Sequence, residues 1–299
     1  MIPVVPLPVS VSTSDGVLRL IDGCSVGAQD HALDGLVEQF VEDVAADTGL
    51  RLTVVGLGGD IRLALSPAGS PTTDTVIGVN PRGGEPADER HQLQVTPTGA
   101  TVEATTVEGV FRGLTTLRQL ISAGREGDEA LVSAMEVRDG PRYAWRGLSL
   151  DVARTFHGPE QVRRVIDIMA LHKFNVLHLH LTDDQGWRLE VPGWPALTTI
   201  GAAGALGDRP GGFYSQQEFT DLVRYAADRW ITVVPEVDMP GHCGAAIRAY
   251  PELGASPNVL DPDSPSVQAF LADVVATMAE LAPGPWLHIG GDEAFGMAP

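Results

Sequence analysis

The chain has 299 residues, of which 43% are hydrophobic and 20% are charged, and this composition is typical of a globular protein. Its length suits two domains, each large enough to bury its own core. The formal net charge of −19 argues against nucleic acids and anionic membranes as partners, because both bind basic patches. The same charge is compatible with a neutral substrate.

The termini and the cysteines carry little further information. No stretch approaches the ~20 consecutive apolar residues of a membrane span, and the first residues lack the basic and apolar regions of a signal peptide. As written, the sequence predicts a cytoplasmic protein, or a secreted one if a leader has been removed. Cys24 and Cys243 are too few for a disulfide framework, so both are expected to be free thiols.

Residues 1–138 have the pattern of a mixed α/β domain. Asp30 precedes a segment in which apolar residues recur at helical spacing, and a second helix is predicted over 107–121. The other predictions for this part are strands at 51–55, 61–65 and 75–79, a hairpin at Thr98-Gly99, and loops at 66–71 and 81–86.

After the turn signature Asp139-Gly140-Pro141, predicted strands and helices alternate through residues 141–299. The predicted strands cover 147–152, 175–181, 231–234 and 286–289. Helices are predicted to begin at Pro159, after a capping box at Ser215, and at Pro265. Alternating βα units predict a parallel sheet. In a (β/α)8 barrel, polar residues just beyond each strand's carboxyl end face the active site.

Charged residues follow each of these four strands. They are Asp151 and Arg154, then Asp183 and Asp184, then Glu236, Asp238 and His242, and finally Asp292 and Glu293. Clustered carboxylates suit glycoside hydrolysis, whose transition state carries positive charge on the sugar and whose leaving oxygen needs a proton. Neighbours on a regular strand point to opposite faces, so Gly290-Gly291 is predicted to supply the backbone freedom that brings Asp292 and Glu293 to one substrate.

Four ordered segments resemble the motifs of family 20 glycoside hydrolases, the β-N-acetylhexosaminidases. They span residues 150–154, 180–188, 234–242 and 288–293, and residues 108–114 resemble part of the small domain that precedes the barrel in this family. The resemblance implies an α/β protein with a family-20-type N-terminal domain at 1–138. It further implies that residues 141–299 form the first four βα units of a (β/α)8 TIM barrel.

The resemblance also implies a retaining, substrate-assisted hydrolysis of terminal β-linked N-acetylhexosamine. Glu293 matches the general acid, and Asp292 matches the residue that orients the 2-acetamido group, whose carbonyl attacks the anomeric carbon to form an oxazolinium intermediate. Arg154 matches the residue that binds hydroxyls of the terminal sugar. Asp183 and His242 match polar residues around the acid and the sugar.

Asp238 and Glu236 are expected to support this site, and neither a metal nor a cofactor is expected. The expected partner is an oligosaccharide or glycoconjugate that carries terminal N-acetylhexosamine. From Pro141 onward 159 residues remain (299 − 140), whereas a whole barrel takes about 250. We therefore expect a truncated barrel whose open edge favours self-association. After Arg154 the family commonly has histidine and then an aromatic residue, whereas Thr155-Phe156 stands here.

Two other functions remain open at this point. His178-x-His180 on a strand, with Lys173 as the chain's one lysine, suggests a metal-dependent amidohydrolase, although both histidines are also expected as packed barrel residues. A truncated, inert or glycan-binding relic is the other. The long stretch 182–214 contains Trp187, for which a role as a sugar platform is one interpretation.

Overall fold

The computed structural model describes residues 2–66, 76–84, 88–207 and 209–294. The chain forms two compact units. The first comprises residues 1–80, 84–144 and 171–173, and the second comprises 81–83, 145–170 and 174–299. Within the described ranges, no helix combines the length and the apolarity that crossing a bilayer requires.

The first unit is a mixed sheet with two helices. Its elements are β1 (Ser10–Ile21), β2 (Ser25–Ala28), α1 (Asp34–Thr48), β3 (Thr53–Val55), β4 (Ile61–Leu65), β5 (His91–Thr96), β6 (Gly99–Ala104), α2 (Val107–Ala123), β7 (Arg125–Glu126) and β8 (Glu129–Asp139), with a 3-10 turn at His31–Leu33. The strand order is β1-β8-β5-β6-β4-β2-β3, and β7 pairs with β8. The buried face of α1 includes Leu36, Phe40 and Val44, and Gly49 ends the helix in the left-handed conformation (φ 77°).

The predicted elements of this unit are found with shifted ends. The hairpin forms between β5 and β6, with Thr96 paired to Gly99. In place of the predicted strand 75–79, the described residues 76–79 contain one bridge, between Ile77 and Tyr143. Thr75 lies outside the described residues. The predicted loops at 66–71 and 81–86 lie partly outside them as well. The long antiparallel pair β1 and β8 was not predicted, because most of β1 is exposed and lacks apolar alternation.

The second unit is built on a parallel sheet. Its elements are β9 (Gly147–Asp151), α3 (Pro159–Leu171), β10 (Val176–His180), α4 (Ala196–Thr199), α5 (Gln216–Ala227), β11 (Thr232–Glu236), α6 (Gly244–Ala249), β12 (Gly254–Ser256), β13 (Val259–Leu260) and α7 (Pro265–Leu281), with 3-10 turns at Gly201–Ala203 and Pro251–Leu253. β10 lies between β9 and β11, parallel to both. Ser215 and Glu218 form the predicted capping box of α5.

The predicted fourth strand, 286–289, does not form a regular strand. The bridge between Glu236 and His288 is parallel, and His288 N donates to Pro235 O at 3.0 Å, so the segment runs alongside β11. The ladder ends where Gly290 and Gly291 adopt positive φ angles of 64° and 106°. Extended pairing therefore stops after a few residues, because the glycines turn the backbone out of the strand.

Candidate active site

One row of residues marks the carboxyl edge of the parallel sheet. In the ladder register, His180 is opposite both Asp151 and Glu236, and Glu236 is bridged to His288. Because parallel strands end at the same edge, residues far apart in sequence are brought together there. The residues predicted to form the site follow directly after Asp151, His180, Glu236 and His288 in the sequence.

Arg154 is held between two carboxylates. Asp151 Oδ1 accepts hydrogen bonds from the backbone N–H groups of Ala153 and Arg154, at 3.0 and 2.9 Å, and this turn directs the arginine back across the strand end. The Arg154 guanidinium lies 2.9 Å from Asp151 Oδ2 and 2.6 Å from Asp183 Oδ2. Its side chain remains 39% exposed, so part of its planar fork of donors stays available to a ligand.

Asp183, His242 and Glu293 lie in one line of contacts. His242 Nδ1 is 3.3 Å from Asp183 Oδ1, and His242 Nε2 is 3.4 Å from Glu293 Oε2 and 3.9 Å from Asp292 Oδ2. Burial raises the pKa of Asp183, but the His180 and Asp184 N–H donors and the Arg154 charge outweigh it and hold that pKa below its ordinary value. The ionised aspartate therefore lies within ion-pair distance of the imidazole, although His242 Nδ1 makes no hydrogen bond to any described residue.

The turn that carries the two adjacent acids depends on its glycines. Gly291 N donates to Asp238 Oδ1 at 3.0 Å, and a Cβ on Gly290 would lie 1.7 Å from that same oxygen. Burial, and then the nearby Asp292 charge, raise the pKa of Asp238. The side chains of Asp292 and Glu293 are 70% and 62% exposed. The predicted glycine hinge is therefore present, and it places both acids beside His242.

Glu236 contacts three imidazoles. Its Oε2 lies 2.6 Å from His178 Nε2 and 2.6 Å from His180 Nδ1, and its Oε1 lies 2.8 Å from His288 Nδ1. Burial opposes charge on His180, but hydrogen bonds to Asp183 and Glu236 raise its pKa to about 9. Burial also disfavours the Glu236 carboxylate, yet hydrogen bonds from His178 and His180 hold its pKa well below the usual range. His180 therefore links Glu236 to Asp183 and does more than fill the core.

Sequence reasoning missed Arg188, although it lies inside a matching motif. The residue is fully buried and donates to the carbonyl oxygens of Val152, Ala153, Ala202, Gly204 and Gly212, at 2.6–3.0 Å. It thereby ties the long segment after β10 to the end of β9. A lone arginine among hydrophobic neighbours was the available signal. Trp187 is likewise buried, donating to Leu189 O and packing on Phe270, so it offers no exposed face to a sugar.

The position of Lys173 argues against the hypothesis of a metal-dependent amidohydrolase. Its Nζ is buried and lies 2.7 Å from Asp139 Oδ2 and 2.8 Å from Thr116 Oγ1, within the first unit. Among the described residues, three groups have the donor set and spacing for a metal ion: His178 with Glu236 and His288, Asp183 with Asp184 and His242, and Asp238 with His242 and Asp292. The last two share His242 and belong to the site described above.

Comparison with known families places this geometry in context. The profile of the glycosyl hydrolase family 20 catalytic domain matches residues 143–297, and that of domain 2 of the same family matches residues 1–140. The chain belongs to glycosyl hydrolase family 20. The family assignment predicted from the four motifs, together with its α/β fold, is therefore confirmed.

Relatives within family 20 extend along almost the whole chain. A β-N-acetylhexosaminidase of Cellulomonas fimi is 38% identical, over 99% of this chain and 60% of its own length. The solved structure of an N-acetyl-β-hexosaminidase of Streptomyces plicatus, in complex with thio-NAglucal, has 37% identity, a TM-score of 0.83, and coverage of 98% and 60%. The corresponding Streptomyces coelicolor enzyme has 35% identity, a TM-score of 0.85, and coverage of 99% and 61%. The chain thus spans about 60% of the length of these relatives.

Proposed function

We propose that this family 20 chain takes part in hydrolysis of terminal, non-reducing β-linked N-acetylhexosamine. The alignment of Asp183, His242 and Glu293 carries this proposal, because it aims one imidazole at an acid beside a second carboxylate. The relatives that bear the name β-N-acetylhexosaminidase support the substrate class. In this proposal, residues 141–299 belong to the first four βα units of a (β/α)8 barrel.

The proposed chemistry divides the two adjacent acids between two tasks. Glu293 donates its proton to the glycosidic oxygen, and the same carboxylate then activates water. Asp292 accepts a hydrogen bond from the N–H of the substrate's 2-acetamido group and stabilises the positive charge that develops there. The acetamido oxygen attacks the anomeric carbon, the glycosidic C–O bond breaks, and water later opens the oxazolinium ring with net retention.

Arg154 and His242 position the participants in this scheme. The Arg154 donors left free by Asp151 and Asp183 bind hydroxyl oxygens of the terminal sugar. His242 lies within ion-pair distance of both Asp183 and Glu293, and in this proposal its charge steadies the Glu293 carboxyl group. Asp238 stabilises the glycine turn through the Gly291 N–H. None of these tasks requires a metal or a cofactor.

The test compares an aryl β-N-acetylglucosaminide with the matching aryl β-glucoside, which lacks the internal nucleophile. We expect hydrolysis of the first substrate alone. Asp292→Asn should lower kcat by about 10²–10³-fold, and Glu293→Gln should be most damaging with a poor leaving group, by about 10²–10⁴-fold. Equal rates on both substrates would refute the substrate-assisted mechanism.

A glycan-binding relic is the second candidate, favoured by the exposure of Asp292 and Glu293. A folded chain that binds N-acetylglucosamine yet hydrolyses neither substrate would support it. Self-association over the exposed segment 286–289 is proposed for the same reason. Sedimentation of the active and inactive variants shows whether only the self-associated chain hydrolyses substrate.

A further inference from the structure

His178, Glu236 and His288 form a three-donor group that makes and breaks no bond in the proposed reaction. His178 Nε2 and His288 Nδ1 flank the two carboxylate oxygens of Glu236 at 2.6 and 2.8 Å. The three donor atoms all lie within 4.8 Å of one another. The two imidazole rings face each other at a centroid distance of 4.8 Å with a tilt of 33°. These donor atoms are close enough for one small ion to reach all three side chains once the rings and the carboxylate shift around it.

The group combines a buried carboxylate with two less buried imidazoles. The Glu236 side chain is 7% exposed, whereas those of His178 and His288 are 28% and 50% exposed. A buried carboxylate thus forms the floor beneath the two imidazoles. Two imidazole nitrogens with one carboxylate and a solvent position are a ligand set that Zn²⁺ favours. Mg²⁺ and Ca²⁺ prefer oxygen-only sites.

His180 supplies the outer support that such a site needs. It contacts Glu236 Oε2 through Nδ1 at 2.6 Å, and its Nε2 lies 3.1 Å from Asp183 Oδ2. A ligating carboxylate is normally held by hydrogen bonds from neighbouring groups, which fix its orientation and contribute to metal affinity. Glu236 is held this way on the rigid end of β11.

We propose that His178, Glu236 and His288 bind a divalent transition ion of the zinc class. On binding, His178 Nε2 and His288 Nδ1 release any protons they carry to the buffer and coordinate the ion through their lone pairs. Gly290 N–H also points at His288 Nδ1, at 3.0 Å. An ion on that nitrogen displaces this hydrogen bond and loosens the turn before Asp292. The ion is therefore expected to inhibit rather than assist hydrolysis, a consequence that rests on the proposed function.

The experiment titrates the chelator-treated full chain with ZnCl₂ by calorimetry, and with Co²⁺ followed by visible absorption. We expect one equivalent of Zn²⁺ per chain, and Co²⁺ bands typical of low-coordinate nitrogen and oxygen ligands. His178→Ala, His288→Ala and Glu236→Gln should each weaken binding by at least about tenfold. Affinity should fall on acidification, because neutral imidazole is the ligand.

Matched variants locate the ion. His242→Ala removes a donor from both other candidate groups, and His31→Ala removes an exposed histidine paired with Asp34; both should keep wild-type affinity. Circular dichroism checks that each variant is folded. No binding by the folded wild-type chain overturns the proposal, as does binding that survives His178→Ala/His288→Ala or disappears in His242→Ala. If the chain proves inactive as a hydrolase, the titration still tests the metal site by itself. If the chain is active, zinc should inhibit the wild type but not His178→Ala.

Discussion

Single residues decide how the two adjacent acids are presented. Gly290 combines a left-handed backbone (φ 64°) with the close approach of Asp238, and both conditions exclude a side chain at this position. Glu293 itself has φ 48°, a conformation that costs a non-glycine residue energy and must be held by its surroundings. The geometry of the proposed acid, Glu293, therefore depends on Gly290, a residue that has no side chain.

Gly290→Ala is expected to lower hydrolysis of the aryl β-N-acetylglucosaminide by about 10²-fold, because displacing Asp238 moves the turn. Gly207→Ala is the matched control. Gly207 has nearly the same φ, 66°, but an added Cβ would have no atom within 4 Å. Steady-state kinetics of the two variants should differ accordingly. Equal losses in both would mean that backbone strain, not the contact with Asp238, is responsible.

At the scale of elements, a single buried arginine joins the strand ends to the loop that follows β10. Arg188 satisfies five carbonyl oxygens that have left the regular ladders. Burial lowers its pKa to about 10, so it remains charged in neutral solution. Removing it would leave several buried acceptors without donors, and each such acceptor costs about 1–3 kcal/mol.

Arg188→Met should therefore lower the free energy of unfolding by more than about 3 kcal/mol in urea denaturation. Arg248→Met provides the control, since Arg248 also donates to two carbonyls, those of Asp184 and Gln185, but on an exposed surface. Its loss should stay within about 1 kcal/mol. Similar losses in the two variants would contradict the assignment of Arg188 as an internal clamp.

For the whole molecule, two buried histidines respond to pH in opposite directions. His91 lies in the first unit, where burial and then the Lys173 charge lower its pKa to about 4. Between that pH and about 6.5 the unfolded chain binds more protons than the folded chain. The contribution of His91 to stability is therefore lost as pH falls through this range. His180 has its pKa raised to about 9, so its contribution is complete below about 6.5 and is lost as pH rises toward 9.

The combined contribution of His91 and His180 to the free energy of unfolding is therefore expected to be greatest near about pH 6.5. Urea denaturation of the wild type at pH 5, 6.5 and 8.5 should show a decline on both sides. His91→Asn should flatten the acid side, and His180→Asn the alkaline side. Unchanged slopes in both variants would show that other groups control the pH dependence.

The sequence by itself determined the long helices, the three parallel strands and the edge of the sheet where the charged residues collect. Helix signals such as the Ser215 capping box and Pro159 are local, so they could be predicted from neighbouring residues. The position of Asp151, Asp183, Glu236 and Asp292 also followed from spacing, because every parallel strand places its carboxyl end at the same edge. The order of the four motifs along the chain was likewise enough to predict the family.

Only the tertiary structure decided which of those groups touch. The register that aligns Asp151, His180 and Glu236 turns a strand histidine into the link between Glu236 and Asp183. The burial of Lys173 beside Asp139, and the five contacts of Arg188, also join residues distant in sequence. Local pattern specifies a residue's place along its strand, whereas contacts depend on register and side-chain direction across strands, and these are fixed only when the whole sheet packs.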